Sequence, residues 1–352
     1  MNEASPENDM AARLDVLLTN VKIQTPSQFQ FGDGPPLGVD AFAATAPSMG
    51  VENPSFEKLR GALATAIYTF AYARIYRGGP ISRDLLEQRL APNSEFMAAL
   101  MAANPTQNRW EPGWKVFQLA PNGGAHVQKG DRAVLAQPGQ FAFPAGAGRA
   151  PLVGDFVDVL APRESLIHQP GNYFAFGQTI ASDYDFARIA RFYFNAAAQD
   201  APWLLKTIGE LLNRHFIPYR FKCAVDPKAF DRTDGIVVYV ARRYAPAFLR
   251  LIAPIGRDLE PRLRSGTPLL SRPMLKGMGA ADDPATTGES FGQSISRLIA
   301  DGLVDAWLAE SAHRGRRDAV SARFAKAGLT LDRAHLARGL VDLYSWPTAG
   351  TA

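Results

Sequence analysis

Residues 186–245 read FARIARFYFNAAAQDAPWLLKTIGELLNRHFIPYRFKCAVDPKAFDRTDGIVVYVARRYA, and this stretch contains three candidate strands. The first is RFYFN at residues 191–195. Because side chains alternate between the two faces of a strand, Arg191, Tyr193 and Asn195 share one face and two phenylalanines share the other. This strand is therefore predicted to have one apolar face and one polar, cationic face.

The second candidate strand, YRFKCAV at residues 219–225, repeats this division. Arg220 and Lys222 point to one side, while a tyrosine, a phenylalanine, a cysteine and a valine point to the other. The third, residues 235–241, is apolar enough to be a buried strand. A sheet face with two arginines, a lysine and a tyrosine is either solvated or binds a multiply charged anion such as phosphate.

The segment between the first two strands has the signals of a helix. Asp200 and Pro202 are typical of a helix start, and an apolar stripe follows them. A helix that connects two neighbouring strands predicts a right-handed βαβ crossover with parallel pairing of those strands.

The rest of the chain predicts an α+β fold around this core. Helices are expected at residues 56–76, 82–90, 93–103, 244–264, 290–309, 314–327 and 332–343. Short strands separated by turns over residues 108–176 predict an antiparallel β meander. The predicted class is α+β, with N-terminal helices, the meander, a mixed sheet with a βαβ crossover, and C-terminal helices. We expect an N-terminal arm and helical region over residues 1–105 and an α+β core over residues 106–352.

Two segments rich in Gly and Pro are predicted to be loops, residues 26–56 and residues 265–288. The second is longer than most connections in compact domains, and loops of that length are often functional. We therefore expect it to line the cationic side of the sheet.

The composition bounds the class of protein. The 352-residue chain is 47% hydrophobic and 20% charged, as is ordinary for a globular protein with a sizeable core. A net charge of +4 does not indicate nucleic-acid binding.

The single cysteine, Cys223, excludes an internal disulfide and favours a reducing compartment. No apolar run reaches the roughly 18 residues of a membrane span, and the chain starts without a secretory signal, so a cytoplasmic protein is expected. Residues 1–10 neither support nor exclude a type III secretion signal.

Four blocks of the sequence resemble a known family. They are RFYFN, APWLLKTIGELLNRHFIPYRFKC, DRTDGIVVYVARRYA and ADDPATTGESFGQSISRLIADGL, and the likeness extends over residues 110–345. These blocks resemble the C-terminal core of the HopA type III effector family. That family includes plant-pathogen effectors and the HopA-like lyases of lanthipeptide and thioamitide-type peptide biosynthesis.

The resemblance implies a phosphoserine or phosphothreonine lyase that acts after a kinase. The kinase phosphorylates Ser or Thr of a precursor peptide, and the lyase eliminates the phosphate to leave a dehydroamino acid. The implied partners are the phosphorylated precursor peptide and a Ser/Thr kinase, with no metal or organic cofactor, no nucleic acid and no membrane. If the protein is instead an effector, a type III system secretes it.

Such an elimination needs a base for the α-proton, cations for the leaving phosphate and a group that stabilises the enolate-like carbonyl. Lys222 is the candidate base, because burial and the neighbouring Arg220 both favour a neutral lysine. The alternative is a structural lysine that pairs with Asp234 or Glu289.

Four arginines are candidates for phosphate binding: Arg191, Arg220, Arg272 and Arg297. The first two lie on predicted strands, the third lies in the predicted loop, and the last lies on the helix that follows the loop. Each alternatively forms salt bridges on an ordinary surface.

Further polar residues are candidates for catalysis or peptide binding. Tyr193 is the candidate acid that protonates the leaving oxygen, and His168 is a second catalytic candidate because it precedes the matching segment PGNYF. Asn195 and Gln293 are candidates for hydrogen bonds to the peptide. The alternatives are a buried tyrosine bonded to a backbone carbonyl and a surface-loop histidine.

Three functions stay open at this point. The first is the phosphopeptide lyase. The second is an effector that binds host immune proteins without catalysis. The third is a non-catalytic subunit that holds the leader peptide for a kinase.

Overall fold

The computed structural model describes residues 9–42, 54–82, 84–87, 90–144, 146, 148–284, 288–310 and 312–347. Its α-helices are α1 (Met10–Asn20), α2 (Pro54–Ile67), α3 (Asp84–Glu87), α4 (Ser94–Ala103), α5 (Asp183–Phe186), α6 (Ala201–Arg214), α7 (Ala245–Ile252), α8 (Gly256–Leu259), α9 (Phe291–Leu308) and α10 (His313–Lys326). A π-helical turn, Tyr68–Tyr72, continues α2.

The strands of the described residues form three antiparallel sheets. The N-terminal sheet has β1 (Val21–Thr25), β2 (Gln28–Phe31) and β3 (Leu37–Gly38). The meander has the order β6-β5-β4-β8-β7, with β4 (Arg109–Leu119), β5 (Ala125–Lys129), β6 (Arg132–Ala136), β7 (Phe141–Ala142) and β8 (Phe156–Ala161).

The central sheet has the order β14-β15-β11-β13-β12-β10-β9. Its strands are β9 (Glu164–Ser165), β10 (Asn172–Phe176), β11 (Ile189–Phe194), β12 (Tyr219–Ala224), β13 (Ile236–Ala241), β14 (Arg272–Leu275) and β15 (Met278–Asp282). The α+β class, with N-terminal helices, a meander and C-terminal helices, is confirmed. The division of the chain at residue 105 stays a prediction.

The crossover between β11 and β12 forms through α6, but the two strands do not pair. Both pair antiparallel with β13, which lies between them. The prediction of parallel pairing is wrong because β13, the most apolar of the three strands, takes the central position, where nearly all of its residues are buried. β11 and β12 therefore run in the same direction, one strand apart.

The predicted loop over residues 265–288 instead contains the hairpin of β14 and β15. β15 pairs with β11 along its whole length, from Met278 to Asp282. Its sequence, MGAAD, lacks the β-branched and aromatic residues that indicate a strand. Packing requires small residues here, since a Cβ at Gly279 would lie 2.7 Å from the Ser271 hydroxyl oxygen. The loop prediction is wrong for this reason.

The other predicted elements differ in outcome. The helix expected over residues 244–264 is broken into α7 and α8 by a 3-10 turn, Ala253–Ile255, which contains Pro254. The helix expected over 332–343 is wrong, because only the 3-10 turn Leu331–Arg333 is helical. The predicted arm 26–56 contains β2 and β3, and its residues 43–53 lie outside the described residues, as do residues 1–8, 83, 88 and 89.

The two faces of the central sheet have different surroundings. One face packs in an apolar core with α4, α6 and α7. The other face is covered in part by α2, its π turn and α9, where Tyr193 and Ala281 pack with Phe291. Gly292 permits this cover, since a Cβ there would lie 2.3 Å from Tyr72 Cε1. The β12 and β10 side of this second face is less covered, and Arg220 and Lys222 lie there partly exposed.

Candidate functional site

The predicted cations meet on one face of the central sheet. Arg191 of β11 and Arg220 of β12 both lie opposite Tyr239 of β13. Two residues further along these strands, Tyr193 and Lys222 lie opposite one valine of β13. Because directly opposed residues of an antiparallel sheet share a face, all four predicted residues point to the same side.

We call the surface formed by Arg191, Arg220, Lys222, Arg232 and Tyr239 the cationic face. The two strand arginines stack on a single ring, with the guanidinium carbons of Arg191 and Arg220 at 5.1 Å and 5.6 Å from the Tyr239 centroid. The negative face of an aromatic ring attracts cations. This ring therefore helps to hold two like charges side by side.

Asp283 is the carboxylate that contacts Arg191. Its Oδ1 accepts a 2.7 Å hydrogen bond from Arg191 Nε and lies 2.5 Å from Nη2. The Asp283 backbone N–H donates to the Ile189 carbonyl at 2.8 Å, which fixes its backbone against β11. The charge of Asp283 also acts on Arg220.

A second arginine–carboxylate pair borders the face. Arg232 donates two hydrogen bonds to Asp234, of 2.7 Å and 2.9 Å, and a third of 3.1 Å to the Tyr68 hydroxyl. Burial, followed by the charge of Asp234, raises the pKa of Tyr68 to about 12. Arg232 thus largely neutralises the charge of Asp234.

Lys222 lies between these pairs without joining either. The described residues include no hydrogen-bond or ion-pair partner for its Nζ. Asp234 is bound to Arg232, and Glu289 accepts two hydrogen bonds from Arg297, so neither expected partner holds Lys222. The pKa of Lys222 is lowered to about 8, and burial is the largest cause. Asp234 opposes this shift, while the nearby Arg191 and Arg232 contribute to it.

His168 lies at the rim of the cationic face. Its ring packs against Phe174 and Phe176 at 4.6 Å and 5.8 Å between centroids. These phenylalanines are opposite Lys222 and Arg220 in the pairing of β10 with β12. Burial, and then the charge of Arg220, lowers the pKa of His168. The structure therefore brings His168 to the predicted site.

Tyr193 shares the face but lies beneath its surface. It is 2% exposed and packs against Phe291. Its hydroxyl lies beside that of Tyr72 without a complete hydrogen bond. Burial raises the pKa of Tyr193. Transfer of a proton to a bound peptide from this depth would require the cover of Tyr72 to move.

Asn195 and Arg272 are not brought to the cationic face. The Asn195 side chain donates to the carbonyls of Ser265 and Gly266 at 2.8 Å and 3.0 Å, so it fastens the segment that leads into β14. Arg272 lies on the edge strand opposite Ala280. It therefore points to the face that packs against α6 and α7.

Gln293 and Arg297 also have structural partners. The Gln293 side chain accepts a 2.8 Å hydrogen bond from the Ser290 backbone N–H, and the Ser290 hydroxyl accepts one from the Gln293 backbone N–H, which completes a capping box at the start of α9. Arg297 is bound bidentately by Glu289 and lies 3.8 Å from Asp301.

Sequence reasoning missed four members of the site: Arg232, Tyr239, Asp283 and Tyr68. Tyr239 and Val237 are two residues apart on β13, so their side chains share a face of the strand. This spacing was a usable signal that Tyr239 lies on the cationic face. Asp283 follows a strand that was predicted to be a loop. Tyr68 arrives from α2, and nothing in the local sequence predicts that contact with Arg232.

No three His, Cys, Asp or Glu side chains of the described residues gather as metal ligands. No helix in the described ranges is both long and apolar enough to cross a membrane.

Comparison with known proteins gives a match that contains the whole cationic face. Residues 164–336 match the HopA1 effector protein family, which confirms the resemblance of the four sequence blocks. The effector protein structure from Pseudomonas syringae pv. tomato strain DC3000 is similar at 16% identity and a TM-score of 0.39, over 49% of this chain and 66% of that chain, just under two thirds of its length. The effector protein structure from Pseudomonas syringae pv. syringae strain 61 is similar at 14% identity and a TM-score of 0.41, over 73% of this chain and 89% of that chain. A search of curated proteins found no match.

Proposed function

We propose that the part of the chain that matches the HopA1 effector protein family, residues 164–336, binds a phosphorylated Ser or Thr of a peptide and eliminates its phosphate. The observation that carries the proposal is the setting of Lys222. It is a partly exposed lysine with a pKa lowered to about 8, on the same sheet face as two arginines. An amine with a pKa near 8 is neutral in part at neutral pH and can then act as a base, beside groups that bind phosphate.

In the proposed elimination, Lys222 is the base, two arginines hold the phosphate, and His168 is the acid. The neutral Nζ of Lys222 takes the proton from Cα, and the electron pair of that C–H bond forms the Cα=Cβ double bond. The Cβ–Oγ bond breaks, and its electron pair leaves with the phosphate. Arg191 and Arg220 hold the phosphate oxygens, and protonated His168 donates a proton to the leaving oxygen to give hydrogen phosphate.

His168 suits the acid role better than Tyr193 because it is exposed at the rim of the face. Its pKa is lowered in the protein as described. A phosphate dianion bound beside it would favour the charged imidazolium, because an opposite charge stabilises the protonated form. Substrate binding would therefore itself prepare the proton donor.

The substrate must be phosphorylated before it arrives, so the proposal includes a Ser/Thr kinase as partner and a precursor peptide as substrate. The sequence has no glycine-rich nucleotide loop and no Asp/Asn set of the kinase type. No cofactor is needed for the proposed step. The reaction would fit a cytoplasmic protein of peptide natural-product maturation.

The test incubates the purified protein with synthetic peptides that carry phosphoserine or phosphothreonine. We expect wild-type protein to release phosphate and to leave a peptide that mass spectrometry finds one water lighter than its unphosphorylated form. Lys222→Ala should leave the phosphopeptide intact. Lys206→Ala is the matched control, because Lys206 is an exposed lysine of α6 on the opposite side of the sheet. Full elimination by a folded Lys222→Ala variant would remove Lys222 as the base.

The family match favours a second candidate, an effector that binds a host protein without catalysis. The same assay separates the two. A wild-type protein that binds phosphopeptide through Arg191 and Arg220 but never eliminates phosphate would support recognition alone.

A further inference from the structure

The partner of Arg191 is an internal carboxylate, and we propose that Asp283 is a specificity-determining residue that competes with phosphate for this arginine. The inference rests on the proposed phosphate-binding role of the cationic face. It adds a condition on the ligand, which must carry more negative charge than a carboxylate does.

The geometry of Asp283 is that of a bound anion. One of its oxygens lies within 2.7 Å of two guanidinium nitrogens of Arg191, a charge-assisted contact of the kind that arginines make with anions. The Arg191 side chain is 14% exposed and that of Asp283 is 29% exposed, so the pair is largely shielded from water. A ligand that reaches Arg191 must replace these contacts.

The backbone and the side chain of Asp283 have different constraints. The backbone N–H is bonded to Ile189, and the preceding Asp282 is 2% exposed and bonded to Arg242 and Tyr344. The chain at this point is therefore fixed. The Asp283 side chain can leave Arg191 by rotation about its own bonds, without movement of β15.

The exchange favours a doubly charged ligand. A monoanion that displaces Asp283 offers Arg191 no more charge than the carboxylate it replaces. A phosphomonoester dianion has two charges and three terminal oxygens, so it can contact Arg191 together with Arg220. Only the second exchange gains contacts with the rest of the cationic face. Asp283 therefore selects phosphomonoesters against diesters and carboxylates.

The experiment measures binding by calorimetry with two probes, inorganic phosphate and dimethyl phosphate, at a pH where inorganic phosphate is mainly a dianion. We expect Asp283→Asn to bind inorganic phosphate about tenfold more tightly, the factor for loss of a competing charge-assisted hydrogen bond. Binding of the monoanionic dimethyl phosphate should strengthen by a larger factor, so that Asp283→Asn prefers the dianion less than the wild type does, and an unchanged ratio of the two affinities would overturn the inference. Arg191→Ala should abolish phosphate binding in both backgrounds.

Glu289→Gln is the matched control. Glu289, six residues along the chain, also pairs with an arginine away from the cationic face, because its two oxygens accept hydrogen bonds from Nε and Nη2 of Arg297. Its removal should leave phosphate affinity unchanged. If Asp283→Asn does not fold, Asp283→Ser gives the same comparison.

The opposite result has a clear meaning. If Asp283 only orients Arg191, Asp283→Asn will bind inorganic phosphate more weakly, and the inference is overturned. Equal affinity overturns it as well. This outcome is separate from failure of the proposed function: a wild-type protein that binds phosphate but eliminates none contradicts the lyase and leaves the competition by Asp283 in place.

Discussion

At the scale of single residues, the cations of the cationic face differ in whether a carboxylate of the described residues is bonded to them. Arg191 and Arg232 each have a carboxylate, whereas Lys222 has none among the described residues. The alternation of two short strands was enough to predict that these cations share a face. It could not predict their carboxylates, because Asp283 comes from a strand with an atypical sequence.

The first residue-scale prediction concerns Arg220. Arg220→Ala should weaken binding of a phosphopeptide by about 1.5–3 kcal/mol, the range for a hydrogen bond to a charged group. Phosphopeptide affinity by calorimetry is the measurement, with an Arg297→Ala variant as control, since Arg297 pairs with Glu289 away from the face. An equal loss in both variants would show only a general charge effect.

The second concerns pH. Because the base is the neutral amine of Lys222, with a pKa of about 8, and the acid is the imidazolium of His168, kcat/KM for elimination should show one limb from each group, with the limb of Lys222 near pH 8. This limb of the kcat/KM profile reports the pKa of Lys222 in the free protein, where burial and Arg191 lower it. Arg191→Ala should move this limb to higher pH, because a neighbouring positive charge has been removed. An unmoved limb would assign the titration to another group.

At the scale of elements, the start of α9 shows how a residue predicted to bind peptide has a local role instead. SFGQ at residues 290–293 is a capping-box pattern, in which the serine and the glutamine each bond the backbone of the other. That pattern was present in the sequence and would have predicted the position of Gln293 correctly. The hairpin of β14 and β15 had no such signal, because its small residues are required by tertiary packing rather than by strand propensity.

The element-scale prediction is that this cap stabilises the helix and does not bind ligand. Ser290→Ala should lower the free energy of unfolding by about 1 kcal/mol, the usual cost of losing an N-cap side chain. Gln293→Ala should also destabilise, and neither variant should change phosphate affinity. Urea unfolding and calorimetry test the two statements, and a loss of phosphate binding in folded Gln293→Ala would return that residue to the site.

At the scale of the whole molecule, the C-terminal segment is attached to the central sheet through Asp282. This carboxylate, whose side chain is 1% exposed, accepts hydrogen bonds from Arg242, the Tyr344 hydroxyl and the backbone N–H of Ala337. The segment was predicted to be a helix, and it is an irregular strap that contains turns instead. Such an interaction joins residues far apart in the sequence, so local patterns could not predict it.

The whole-molecule prediction follows from the burial of this pair. Asp282→Ala leaves Arg242 buried without its carboxylate, and removal of one partner of a buried pair costs about 3–5 kcal/mol. The free energy of unfolding in urea should fall by that amount. Asp33→Asn is the control, since the Lys22–Asp33 pair is exposed and should contribute less than about 1 kcal/mol. Equal effects would mean that the strap contributes little.

The burial of Cys223 makes the wild-type protein its own probe. It is the only thiol in the sequence, it is 1% exposed, and it is next to Lys222 on β12 with its side chain on the opposite face. A thiol reagent can reach it only when β12 separates from its neighbours, so the labelling rate measures the free energy of that local opening. A ligand that binds only the closed sheet must slow the labelling in proportion to its occupancy. Ligand occupancy of the cationic face can thus be followed by the rate at which a chromogenic thiol reagent reacts with Cys223 on the other side of the sheet, without any introduced label.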